Sequence, residues 1–220
     1  ILEEDDKIRI VRGGDLFNGD KMFLNLRMGD PIQIGSEFFD RYIMMAWSHD
    51  SGLAITARFF LIRKKTNAIL RVETPEVSTE VKLRHTGDMT NKISDARKVL
   101  KLAYKFFENL ENKLESLSLA PMNEGEFKAM LSKIFPDAAK TGKGQTRVEN
   151  KRAEVFDLYK SGKHSSDTQG TKLGGLLAMT EYCYDGKSTR VQQGKNADEV
   201  ELNGLMFQTR TAEINSIFKA

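Results

Sequence analysis

Apolar positions along the chain follow a period near two in roughly the first third and a helical period from Asn91 onward. In the first part, "KIRIVRG" (7–13) and "KMFLNLRMG" (21–29) are runs of partial alternation. They are separated by "GDLFNGD", whose Asn18-Gly19 has hairpin-turn chemistry. A second hairpin is predicted in "RYIMMAWSHDSGLAITARFFLIRKK", with strands over 42–47 and 53–64 and the turn-prone "SHDSG" between them. In its longer strand Ile55, Ala57, Phe59 and Leu61 share one face, and Thr56, Arg58, Phe60 and Ile62 the other.

The helical part begins with two interleaved heptad series, Ile93, Leu100, Phe107, Leu114 and Ala96, Ala103, Leu110, Leu117, ended by Pro121. Val99, Leu102 and Phe106 widen the stripe, which favours one long amphipathic helix laid across a sheet over a coiled-coil seam. "GEFKAMLSKIFP" reads as a short helix closed by Pro136, and "DAAKTGKGQTRVENKR" as a basic, mobile connector. "VENKRAEVFDLYKSG" is another helix, "KHSSDTQG" a polar loop, and "TKLGGLLAMTEYCYDG" an apolar helix. An amphipathic segment with Leu205, Met206, Ile214, Ile217 and Phe218 closes the chain. The fold class is therefore α+β: antiparallel hairpins packed on a long helix over 1–120, and a helical part over 121–220 packed on the same domain.

Composition narrows the chemistry only in places. The chain has 220 residues, 30% of them charged, with a net charge of +3, so a nucleic-acid partner must be argued from local patches. Cys183 is the single cysteine, which rules out an intrachain disulfide or thiolate zinc cluster and fits a reducing, cytoplasmic setting. No apolar run is long enough for a membrane span and no signal-peptide pattern is present; the opening at Ile1 allows for further upstream sequence.

His49, His85 and His164 are isolated, so a metal or histidine-dependent enzyme is the least favoured reading, and neither metal nor cofactor is expected. Cys183 lies between two tyrosines in an apolar helix, as an inert thiol would. "KTGKGQT" fails the phosphate-loop spacing, and no dinucleotide fingerprint or nucleophile elbow occurs. No catalytic residue is assigned.

Basic patches carry more. Arg58, Arg63, Lys64 and Lys65 surround Phe59 and Phe60, a combination that suits phosphates and stacked bases of a single strand. Arg97, Lys101 and Lys105 stand at i, i+4 on the long helix with Lys98 beside them, while Glu108, Glu111 and Glu115 follow. That order opposes the helix dipole, and the like-charge pairs are mildly unfavourable. Lys82, Arg84 and His85 are expected beside this patch at a strand-to-helix corner, where Gly87 and Thr86, Asp88 or Thr90 supply the turn and cap. Lys143, Arg147, Lys151 and Arg152 form a basic run in the connector.

"YIMMAWSHDSGLAITARFFLIRKKTNAIL", "VKLRHTGDM" and "GTKLGGLLAMTEYCYD" resemble, in order, signature blocks of the phage/plasmid-like protein family, catalogued as a domain of unknown function, family nine-thirty-two. The resemblance runs from about residue 30 to the end. Departures are "LIRKKTNAIL" without the family's usual cysteine, Leu173 in place of a tryptophan, and Leu177-Ala178 in place of asparagine-alanine. The resemblance implies a protein of phages or plasmids and transfers no reaction. The hairpins and long helix also resemble, in architecture alone, phage single-strand annealing proteins of the RecT and Erf kind. The expectation is a non-enzymatic, homo-oligomeric, cytoplasmic protein of a mobile element that binds single-stranded DNA and promotes annealing. The rival is a protein-interaction module, such as a host-takeover or anti-defence factor, that uses the heptad seam.

Overall fold

The fold was read from a computed structural model, which describes residues 8–16, 20–48, 55–70, 80–83, 89–138, 142–162 and 167–185. Its described elements are six strands in one antiparallel sheet, then four helices, so the α+β class holds. The strands are β1 (Ile8–Leu16), β2 (Lys21–Ile34), β3 (Glu37–Ser48), β4 (Ile55–Arg63), β5 (Ile69–Leu70) and β6 (Glu80–Leu83). The helices are α1 (Met89–Leu119), α2 (Glu124–Ile134), α3 (Lys143–Ser161) and α4 (Lys172–Asp185). Sheet order is β1-β2-β3-β4-β5, with β6 also paired to β4.

Both predicted hairpins form; β1, β2 and β3 run longer than the alternation indicated, and β4 lies within its expected range. β1 continues through Leu16, which pairs with Lys21, and β2 passes Gly29 and Pro31 to reach Ile34. The β3–β4 ladder runs from Phe39↔Arg63 to Ala46↔Thr56. Directly opposed residues of an antiparallel pair share a face. Ile43 and Phe59 thus lie on one side of the sheet, Tyr42 and Phe60 on the other.

The chain divides into two compact units: 1–33, 38–64 and 70–112, then 34–37, 65–69 and 113–220. In the first, α1 covers the Phe59 side of the sheet. The Phe59 ring lies 5.6 Å from Phe106 and 6.4 Å from Phe107. Val99, Ala103, Phe106, Phe107 and Leu110 are buried there, and Leu114 and Leu117 continue the same stripe into the second unit. Each large apolar side chain so buried is worth about 1.5–3 kcal/mol. Leu100 is half-buried and Ala96 exposed, so the buried stripe keeps the helical period of 3.6 and not a strict heptad. The expected amphipathic helix is what forms, and its apolar face is spent inside the chain.

In the second unit, α4 is buried nearly all round, with Leu173, Leu176, Leu177, Ala178, Met179 and Cys183 all closed off from solvent. It packs chiefly on α3, and α3 on α2. The block "GTKLGG" explains how so apolar a helix starts. The Thr171 hydroxyl donates to the Thr168 carbonyl (2.7 Å) and accepts from the Gly174 amide (3.2 Å), which caps the helix. A Cβ at Gly174 would lie 2.3 Å from the Thr168 carbonyl oxygen, so only glycine lets the turn approach this closely. Around this corner Met122 donates to Gly170 and Lys172 to Ala120, at 2.8 and 2.9 Å. The family-like block is therefore structural.

The connector expectation is corrected. Residues 143–152 are the first half of α3, begun at Gly142. The two glycines and the polar run mask a helix whose buried side, Val155 and Tyr159, lies farther along.

Candidate nucleic-acid interface

α1 turns its buried stripe toward the sheet and so presents the opposite face to solvent. Arg97, Lys98, Lys101 and Lys105 are all exposed there. Successive i, i+4 positions rise about 6 Å, which gives Arg97, Lys101 and Lys105 one ladder about 12 Å long. Lys98 reaches Asp95 at 3.3 Å. Among the described residues, Arg97, Lys101 and Lys105 have no carboxylate within ion-pair distance. α1 has no acidic residue in its first turn and no basic residue in its last, so its charges run against the macrodipole, as the sequence indicated.

Other residues expected in the interface go elsewhere. Phe59 and Phe60 are both buried: one packs on α1, the other stacks on Tyr42 at 5.6 Å. Neither offers a ring face to a base, and the stacking role expected of them is withdrawn. The sheet is covered on both sides at β4, so the alternation there distinguishes two interiors and not an inside from an outside.

Arg63 is also corrected. It pairs with Phe39 and is 1% exposed, out of reach of a phosphate. Lys64 caps the β3–β4 ladder through its amide to the Phe38 carbonyl (2.9 Å), and its ammonium lies 3.7 Å from Asp40, which Arg27 holds at 2.9 Å. Burial and the Asp40 carboxylate push the neighbouring Tyr42 hydroxyl up, against the opposing effect of Arg27.

Lys82 pairs with Thr56 and so projects on the Phe60 side of the sheet, as Arg58 does. α1 covers the other side. The expected meeting of Lys82 with the α1 patch does not occur, because β6 presents this residue to the opposite face. Arg58 and Lys82 each have interactions of their own. Arg84 and His85 lie outside the described residues, as do His49, His164, Lys140, the turn and cap at 86–88, and the closing segment after 185.

In the second unit, Lys65 adds its charge to a small polar corner. Asp167 accepts from the Ser36 amide and hydroxyl, both at 2.8 Å. Burial would raise the Asp167 pKa, but the Ser36 donors and the Lys65 charge outweigh it and hold the carboxyl below its usual range. Gly35, at φ +59°, brings the turn so close that a Cβ would lie 2.1 Å from an Asp167 oxygen.

The basic run on α3 is divided between surface and scaffold. Lys143 and Arg147 are exposed. Lys151 sits 5.7 Å from the centre of the Phe135 ring. Arg152 binds the Phe135 carbonyl and reaches Asp137 at 2.8 Å. Hydrogen bonds from Gln145 and Arg152, then the Arg152 charge, lower the Asp137 pKa.

Among the described residues, no three His, Cys, Asp or Glu side chains converge as metal ligands, and no helix is long and apolar enough to cross a membrane. Cys183 is a free, buried thiol.

One exposed residue on the outer face of α1 was missed. Tyr104 lies seven residues from Arg97 and three from Lys101, on the same side of the helix, and is 40% exposed. The signal was present in the period: the residues on either side of it, Ala103 and Lys105, belong to opposite faces, and Tyr104 falls outside both heptad series.

The comparisons with known proteins add a family and no activity. No curated protein and no solved structure matches the chain. The sequence profile of DUF932, a domain of unknown function, matches residues 1–204, a span that includes both hairpins and all four helices, and the chain belongs to that family.

Proposed function

We propose that this chain binds single-stranded DNA along the outer face of the first half of α1. The observation that carries the proposal is the ladder of Arg97, Lys101 and Lys105, exposed and without an ion-pair partner among the described residues. Folding does not call for it. Like charges at i, i+4 cost a few tenths of a kcal/mol per pair. A polyanion laid over that face turns this cost into attraction. Lys98 joins the ladder, with Asp95 as its competitor.

The reading rests on fewer residues than the sequence indicated. Arg63, Phe59 and Phe60 belong to the core, and Lys82 and Arg58 project from the other side of the sheet. Strand annealing by several copies, in a mobile-element host cell, is the extended form of the same proposal. The rival interaction surface is less favoured, since Ala103, Phe107, Leu110, Leu114 and Leu117 of the seam are buried, while Ala96 is exposed and Leu100 half-buried.

The test is a salt titration of oligonucleotide binding run beside a solution mass measurement. Binding at about 50 mM salt that falls steeply by about 200 mM is expected, since each neutralised phosphate of a single strand contributes about −0.7 to the log–log slope. Affinity that is immeasurable at the lower salt, or flat across the range, overturns the proposal.

A further inference from the structure

We propose that Tyr104 is the base-stacking residue of this surface, a role that rests on the α1 reading above. The residues that the sequence offered for stacking, Phe59 and Phe60, are inside. A tract that held a strand by phosphates alone would need no ring, and the core of α1 does not need this one. Val99, Ala103, Phe106, Phe107 and Leu110 close the inner face without it. Tyrosine is a poorer helix former than the leucine, lysine or glutamate found at comparable positions of this helix. Tyr104 nevertheless stands on the outer face, two-fifths exposed, and engages no other ring among the described residues.

Its neighbours define what it can bind. Lys101 precedes it by one helical turn, Lys105 follows it directly, and Arg97 lies two turns back on the same side. A ring between cations on a convex helix face matches a nucleotide strand, in which flat bases alternate with phosphates. Bases stack on such a ring in a sequence-tolerant way because every base has a π-face. Glu108, one turn beyond Tyr104, disfavours phosphate on that side and so points the strand toward Lys101 and Arg97.

The experiment compares Tyr104→Ala, Tyr104→Phe and Lys101→Gln in the full chain. The probes are an oligothymidylate of about 20 nucleotides and an abasic strand of equal length, each titrated across salt. Tyr104→Ala is expected to weaken oligothymidylate binding by about 5- to 100-fold at an unchanged salt slope, and to leave abasic binding where it was. Tyr104→Phe should stay within about 2-fold, since the ring and not the hydroxyl is used. Lys101→Gln should weaken both probes and flatten the slope by about 0.7.

Equal losses of Tyr104→Ala on both probes, or no loss on either, overturn the stacking role. If Lys101→Gln behaves as stated while Tyr104→Ala does not, stacking fails and the DNA-binding reading survives. If wild type binds neither probe, both fail.

Discussion

α1 and α3 display the same ladder, three cations at i, i+4 and i+8. Lys143 and Arg147 are exposed, as Arg97 and Lys101 are, and the difference lies at the last member, Lys151, and in the residues around it. On α3, Lys151 lies over the Phe135 ring, and the adjacent Arg152 fastens the Phe135 carbonyl and Asp137. Farther along, Lys160 meets Glu124 at 3.6 Å and joins Lys128 over the Phe156 ring. Glu149, Glu154 and Asp157 are interleaved with the cations. On the first half of α1, Lys98 reaches Asp95 while Arg97, Lys101 and Lys105 have no carboxylate within ion-pair distance among the described residues, and the acidic residues other than Asp95 come after Lys105. Spacing alone does not distinguish a surface stripe from a scaffold stripe. The distinction is in what each cation reaches.

The comparison can be broken in several ways. The largest effect concerns the helix that carries the ladder. Phe106→Ala removes a fully buried ring between Phe59 and Phe107 and should cost about 3–5 kcal/mol, a fall in Tm on the order of 10 °C by calorimetry. A loss near zero would mean that α1 is not anchored there. Next is the charge reversal Arg97→Glu with Lys101→Glu, expected to weaken single-stranded DNA binding on the order of 100-fold at low salt while Tm stays within a degree or two.

Arg152→Ala should act the other way round. Losing the carbonyl and Asp137 contacts of a part-buried guanidinium costs about 1–2 kcal/mol, and DNA affinity should not change. A drop in affinity as large as that from the α1 reversal would merge the two ladders into one function.

The Asp167 corner gives a smaller, pH-marked effect. Its folded pKa is depressed, so its contribution is present above the unfolded value and lost as pH falls through the folded one. Asp167→Asn should therefore destabilise by about 1 kcal/mol at neutral pH, a figure lowered for the exposure of the pair. The difference from wild type should shrink below about pH 4. A gap that grew on acidification would reverse the assignment. Smallest of all, Lys143→Glu with Arg147→Glu on α3 should change DNA affinity by less than about 3-fold, beyond the general effect of net charge.

Much of the fold was legible because period and punctuation agree in it. Both hairpins followed from alternation and turn residues, and α1, α2 and α4 from apolar spacing bounded by Pro121, Pro136 and the polar loop "KHSSDTQG". The start of α3 was not legible, since Gly142 and Gly144 and a polar first turn look like loop, while the buried anchors Val155 and Tyr159 come three turns later. Which candidate residues are exposed was legible on the helix and not in the sheet. Arg97, Lys98, Lys101 and Lys105 surround an apolar stripe that fixes which way they point. β4 gave no such fix, because Thr56 and Phe60 on one face are as buried as Ala57 and Phe59 on the other. Arg63, a charged residue at a strand end, went inside for the same reason. Lys82 needed the Thr56 pairing, which is long-range information that a single sequence does not hold.

The order of charges on α1 sets a length as well as a sign. From Arg97 to Lys105 the outer face offers about 12 Å of cationic surface, and one turn later Glu108, followed by Glu111 and Glu115, reverses it. A polyanion lying along the helix therefore meets a fence at a fixed place. The length of the cationic stretch on α1 is thus fixed by where the glutamates begin.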